Sequence, residues 1–277
     1  MTEGTRRRMT QEKYTSQIVT ARTEWIPGKL FSIVTTKDPA FAFIPGQFAR
    51  LGLPENPQPD AKPDIWRAYS MVTPPQANEL AFYSIVVPDG QFSPRLHDLK
   101  VGDAVYIDKT AFGFMTIERF PQGGQLWMLA TGTGLSAYLP MLDDPQTWRQ
   151  FERIILVHGV RQADELTYQD DIARFARSHA ASDQQFVYLP VPSREPLAGM
   201  PQARITALIE SGQLEQLAGA SLDPAVARVM LCGNPAMVKD ARKILADRGF
   251  APGGARRFLA ILNKCAHIFH ILARSEC

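Results

Sequence analysis

At Pro121-Gln122-Gly123-Gly124 the periodicity of the chain changes. Before that point, residues 16–22, 29–36, 47–53, 66–72 and 79–87 are short β-branched or aromatic runs separated by Pro, Gly, Asn and Asp. Such runs predict strands. Residues 104–108 and 112–117 predict two more. Short strands punctuated by turn signals predict an antiparallel barrel. A single helix is expected among them, with Ser93 as N-cap, Pro94 in the first turn, and Leu96 and Leu99 on one face. After the Gly-Gly turn, strand patterns at 125–131, 153–158, 185–191 and 228–231 alternate with helical ones at 163–180, 205–211 and 235–248. That alternation predicts a parallel sheet covered by helices, an α/β unit of Rossmann-like kind. The expected organisation is a barrel over 14–120, the α/β domain over 125–255 and a tail at 256–277.

Composition narrows the partners. A net charge of +2 is too balanced for a nucleic-acid binder, and the basic run Arg6–Arg8 reads as a solvated tail. Three cysteines, Cys232, Cys265 and Cys277, show no Cys-x-x-Cys spacing. A disulfide framework, a zinc knuckle and an iron–sulfur cluster are therefore not expected, and reduced thiols suit the cytoplasm. Cys265, His267 and His270 crowd together without a fourth ligand, so no metal site is expected. The N-terminus has no apolar h-region, and no apolar run approaches the roughly 18 residues of a membrane span.

Several short motifs can carry chemistry. Gly132-Thr133-Gly134-Leu135-Ser136-Ala137 follows a strand and opens a helical segment, as a dinucleotide fingerprint does. A tight turn without a ligand is the competing reading. The second strand of the α/β half runs out through Gly159 and Val160 to Arg161 rather than to an acid. An acid there would hold the ribose hydroxyls of NAD, whereas a cation suits a 2′-phosphate. Arg194 and Arg204 follow, although Asp164 and Glu165 lie close to Arg161, and any one arginine also fits a surface ion pair. In the first half, Arg67-Ala68-Tyr69-Ser70 offers a cation, an aromatic ring and a hydroxyl, which fit a flavin or simply a half-exposed strand. Gly90-Gln91-Phe92-Ser93 leads into the Ser93/Pro94 helix start, a phosphate-type N-terminus. Cys232 ends an apolar strand, where a thiol often serves as a small hydrophobe.

Taken together, Arg67-Ala68-Tyr69-Ser70, Gly90-x-x-Ser93, Ala130-Thr131-Gly132-Thr133-Gly134 and Cys232-Gly233-Asn234-Pro235 have the order and spacing of one family. Over residues 14–253 the chain resembles the bacterial ferredoxin/flavodoxin–NADP reductases. The resemblance implies an FAD-binding barrel, an NADP-binding α/β domain, and electron exchange between NADP(H) and ferredoxin or flavodoxin. It implies that Arg67, Ala68, Tyr69 and Ser70 line the flavin, that Tyr83 flanks it, and that Gln91, Phe92 and Ser93 meet its pyrophosphate. Thr133 would stand where the cofactors approach. Val160, Arg161, Ser193, Arg194 and Arg204 would hold the 2′-phosphate end of NADP, and Asn234, Pro235, Ala236, Met237 and Val238 the helix start that contacts it. Ser70 and Cys232 are the candidate catalytic positions, with Cys232 beside the hydride path as a steric and polar neighbour, not a nucleophile. A flavin links two-electron hydride chemistry to one-electron carriers, so no acid–base triad is needed. A reductase that feeds an oxygenase or free flavin is the alternative. A third reading is a nucleotide-binding regulatory module without chemistry. A monomer is expected.

The tail departs from the resemblance. Family members end in a Glu and a terminal aromatic that stacks on the flavin; from Arg256 this chain has no such end. Phe258, Ile261, Leu262, Cys265, Ile268, Phe269 and Leu272 instead fall at helical spacing. Either the tail is an altered reading frame, or it is a helix packed on the domain or a partner.

Overall fold

The computed structural model describes residues 12–56, 58, 61–179 and 185–250, and the backbone of the strand Leu259–Asn263. The first half contains β1 (Tyr14–Ile26), β2 (Leu30–Thr36), β3 (Phe48–Leu53), β4 (Ile65–Ser70), β5 (Glu79–Ile85), α1 (Ser93–Asp98) and β6 (Ala104–Asp108). They form one antiparallel sheet in the order β4-β3-β6-β1-β2-β5. Its two edges meet through an antiparallel bridge between Met71 and Phe82 and a bond from Val72 N to Ala81 O of 2.8 Å. Closure satisfies edge groups that would otherwise face solvent. The inside is apolar: Val19, Phe31, Ile33, Leu51, Phe82, Val105 and Ile107 are buried together, and Leu96 of α1 plugs the same core.

Two expectations for this half fail locally. Residues 112–117 are not a strand. Only Phe112 bridges Phe48, and Gly113, at φ +100°, then turns the backbone out of extended conformation. The N-cap of α1 is Phe92, not Ser93, whose hydroxyl accepts a bond from Val87 N at 2.9 Å. That bond closes the turn before the helix instead of capping it.

The second half contains β7 (Gln125–Thr131), α2 (Leu139–Leu142), α3 (Pro145–Gln150), β8 (Arg153–Val160), α4 (Gln169–Ser178), β9 (Gln185–Pro192), α5 (Ile205–Glu210), α6 (Gln213–Ala218), β10 (Ala227–Gly233), α7 (Pro235–Asp247) and β11 (Leu259–Asn263). All five strands are parallel, in the order β11-β10-β7-β8-β9. Alternate residues of the central strands go to different cores. Trp127, Leu129, Ile155, Val157 and Leu231 pack under α5, α6 and α7. Met128, Leu156 and Met230 face a second core that also contains Leu30 and Tyr83 of the barrel. The junction between the halves is thus part of a shared hydrophobic core. Burial on both faces explains why these strands read as continuous apolar runs.

The helical pattern at 163–180 resolves into a 3₁₀ turn, Ala163–Glu165, and then α4. Between them Tyr168 adopts a left-handed φ of 58°; Ala180 lies outside the described residues. The tail also corrects an expectation. Ile261 and Leu262 lie in β11, which pairs with β10 from Val229–Leu259 to Gly233–Asn263. A short apolar run fits either period, and the open edge of β10 decides for strand. Phe258, Cys265, Ile268, Phe269 and Leu272 lie outside the described residues. Among the described residues, no helix is long and apolar enough to cross a membrane.

Candidate cofactor sites on barrel and sheet

The barrel site is built on β4. Antiparallel register pairs Leu51 with Arg67, Arg50 with Ala68, Ala49 with Tyr69 and Phe48 with Ser70, so the motif cannot slide. Arg67 Nη1 donates to Trp66 O at 2.8 Å, and its guanidinium pairs with no carboxylate among the described residues. Tyr69 is half-buried, with its hydroxyl 3.2 Å from Ser84 Oγ and its ring 5.8 Å from that of Phe92. This ring contact joins β4 to the Gly90–Ser93 turn across more than twenty residues of sequence. Gln91 is exposed there, while Phe92 is buried. Ser70 is 1% exposed, and its Oγ has no hydrogen-bond partner among the described residues. A buried hydroxyl without a partner costs on the order of 1–3 kcal/mol. A bound polar ring that accepts from or donates to Ser70 removes that cost, so the residues present fit a flavin.

Tyr83 is placed elsewhere. It is 1% exposed, accepts a bond from Thr167 Oγ1 at 2.8 Å and meets the ring of Tyr168 edge-on at 5.2 Å. Burial holds its pKa above the ordinary range. Its position is in the shared core between the halves. Tyr168 in turn lies 2.6 Å from Ser32 Oγ, whose other partner is Trp25 Nε1 at 2.8 Å. The residues Lys29, Ser32, Thr167 and Tyr168 form this junction, and no motif in the sequence marks them.

The sheet site has two parts. In the first, the Gly132 turn locks against the end of β10. A Cβ on Gly134 would stand 2.3 Å from Cys232 O, and one on Gly233, at φ +134°, would stand 2.2 Å from Thr131 Oγ1. Asn234 N donates to that same Thr131 hydroxyl at 2.8 Å. Glycine is required because two backbones approach each other, and a side chain would separate them. Thr133 is half-exposed on the turn. Beneath it, buried His158 places Nε2 3.1 Å from Gly132 O. Burial lowers the His158 pKa to about 4, so the ring is neutral and Nε2–H donates.

Three expectations about this part need correcting. Residues Gly132–Ala137 form a 3₁₀ turn rather than the start of an α-helix, so no long aligned dipole backs the motif. Asn234 caps α7: its Oδ1 accepts from Ala236 N at 2.8 Å and Met237 N at 3.4 Å, so two amides of the helix start expected to contact NADP are already bonded. Val238 is buried in the core under α7, and Cys232 has no exposed surface. The Cys232 thiol therefore belongs to the shared core beneath the turn, and it is the carbonyl of that residue that meets Gly134.

The second part lies at the ends of β8 and β9. Ser193 N and Oγ both donate to Val160 O, at 2.9 and 3.0 Å, and Arg194 N donates to Arg161 O at 2.9 Å. These bonds bring together residues 33 positions apart. Arg204 stands exposed at the N-cap of α5. None of the guanidinium groups of Arg161, Arg194 and Arg204 pairs with a carboxylate among the described residues. Glu165, a concern from sequence, does not pair with the Arg161 guanidinium: Oε2 accepts from Arg161 N at 2.8 Å and Oε1 lies 2.5 Å from Lys29 Nζ. Burial pushes its pKa up, but the bonds from Lys29 and Arg161 N outweigh it and hold the carboxyl below its ordinary value.

A closed antiparallel barrel carrying Arg67 on β4, joined to a parallel sheet with the Gly132 turn and with Arg161, Arg194 and Arg204 clustered at its strand ends and loops, has the architecture of a two-domain dinucleotide-dependent oxidoreductase. The family model described as the oxidoreductase NAD-binding domain matches residues 128–243. The chain is 38% identical over 251 residues to a ferredoxin–NADP reductase A of Sorangium cellulosum, covering 87% of this chain and 86% of that one. It is 38% identical over 229 residues to the flavodoxin/ferredoxin–NADP reductase of Escherichia coli, covering 79% and 89%. A crystal structure of a Neisseria gonorrhoeae ferredoxin–NADP⁺ reductase with bound FAD and NADP superposes with a TM-score of 0.82 at 32% identity, over 92% of this chain and all of that one. The chain belongs to the ferredoxin–NADP reductase family.

Proposed function

We propose that the protein is an FAD-containing oxidoreductase that exchanges electrons between NADP(H) and ferredoxin or flavodoxin. The observation that carries this is a placement of polar groups: Arg67, without a carboxylate partner among the described residues, beside the unpartnered buried hydroxyl of Ser70 on the barrel, and Arg161, Arg194 and Arg204, likewise without carboxylate partners, at the strand ends and helix start of the sheet. The reading places FAD on residues 14–120 and NADP(H) on 125–255. Bound FAD would take hydride from NADPH and release electrons singly. Arg67 would neutralise flavin phosphate from a fixed strand, Tyr69 would border the ring and Ser70 would supply a hydroxyl to a ring atom. Arg161, Arg194 and Arg204 would hold the 2′-phosphate, and the Gly132 turn would let the pyrophosphate approach backbone. Cys232 and Tyr138, both buried beneath that turn, would keep water from the region below it. The protein is read as a cytoplasmic monomer, which size-exclusion chromatography checks.

Purified protein should be yellow and should bleach with NADPH under nitrogen. Reduction of added flavodoxin or ferredoxin faster than of free flavin supports the reading. Faster reduction of free flavin favours the alternative acceptor, and a colourless protein that ignores NADPH refutes the enzyme.

A further inference from the structure

We propose that Lys29, on the barrel, sets the preference for NADP(H) over NAD(H) by neutralising a carboxylate that the fold places behind the Arg161 turn; this rests on reading Arg161, Arg194 and Arg204 as the phosphate site. Glu165 Oε2 accepts the backbone N–H of Arg161 at 2.8 Å, which fixes the turn that presents the guanidinium. The same contact puts an anion beside a site meant for an anion. A second carboxylate is nearby, because Glu195 accepts from Ala163 N and has no cation partner among the described residues. Asp164 is exposed on the same turn. Lys29 Nζ, 136 positions away in sequence, lies 2.5 Å from Glu165 Oε1, with the Glu165 side chain only 10% exposed. The positive charge that offsets Glu165 thus comes from the other half of the molecule.

NAD(H) lacks the 2′-phosphate, so exposing the Glu165 charge penalises NADP(H) more than NAD(H). Coulomb repulsion between the exposed carboxylate and a nearby phosphate of about two negative charges, in a mostly aqueous setting, is worth roughly a threefold to tenfold change in affinity. Salt should shrink it, because the Debye length falls to about 3 Å at 1 M.

The test uses flavin-loaded protein, ferricyanide as acceptor, and the Michaelis constants for NADPH and NADH. Lys29→Ala should raise the constant for NADPH about threefold to tenfold and that for NADH by less, with the difference shrinking at high salt. Lys29→Ala with Glu165→Gln should return the ratio to within about twofold of the parent, because the neutral amide still accepts from Arg161 N. If Lys29→Ala moves both nucleotides equally, or Glu165→Gln fails to rescue, the pair is only a clamp between the halves and the proposal falls. Arg161→Ala separates the two levels. If it leaves the ratio intact, the phosphate-site reading fails; if it collapses the ratio while Lys29→Ala does not, only the present proposal fails.

Discussion

On the barrel, the Arg67–Ser70 contacts lie on one strand whose register against β3 runs unbroken from Phe48–Ser70 to Leu53–Ile65. On the sheet, they lie at strand ends and loops, and Arg161, Arg194 and Arg204 are all exposed. A strand-borne, half-buried cation is already ordered and desolvated, so it loses little freedom when it binds. Exposed arginines must be immobilised and dehydrated each time. The difference matches a resident cofactor on the barrel and an exchanging one on the sheet. The sheet compensates with backbone precision, since its Gly134 and Gly233 contacts leave no room for a Cβ.

The largest expected effect breaks that precision. Gly233→Ala would put a Cβ 2.2 Å from Thr131 Oγ1 at φ +134°. Overpacking and backbone strain together should cost about 3 kcal/mol or more. A fall in melting temperature with loss of NADPH binding but retained flavin would confirm that the sheet site fails separately; an unchanged melt would contradict the interlock.

Acid should also weaken the sheet half. His158 is buried and neutral with a pKa of about 4, below its unfolded value of 6.5. The unfolded chain therefore binds a proton first as pH falls, and stability drops between about pH 6.5 and 4, by about 3 kcal/mol at most. Denaturant melts across that window should show the loss, and His158→Gln should flatten it. A parent slope equal to that of the variant would exclude His158 as the cause.

On the barrel, Arg67→Ala should weaken flavin retention about tenfold to a hundredfold, the equivalent of losing a charged hydrogen bond worth roughly 1.5–3 kcal/mol. The variant should stay folded by circular dichroism and purify pale. Full occupancy would remove Arg67 from the site.

Smallest is the exchangeable side. Arg194→Ala should raise the Michaelis constant for NADPH about tenfold, near the low end of a charged phosphate contact, and leave NADH nearly unaffected. Equal losses with both nucleotides would mean that Arg194 holds a part the two share.

By itself the sequence determined the two architectures, because periodicity and turn chemistry act within a few residues. The strand at Gln125–Thr131 and the helix from Pro235 are legible for that reason. Motif order was legible too, and it carried the family. Only tertiary structure decided the burial of Tyr83 under Thr167, the commitment of Asn234 Oδ1 to capping, and the removal of Cys232 from any surface. Each depends on which face of an element meets another, and local pattern does not fix that. The tail shows the same limit: Leu259–Asn263 suits helix or strand alone, and the edge of β10 makes it a strand. Lys29 and Glu165 were invisible for a simpler reason. Two charges 136 positions apart interact only after the barrel and the sheet have closed on one core, and no spacing rule reaches across that distance.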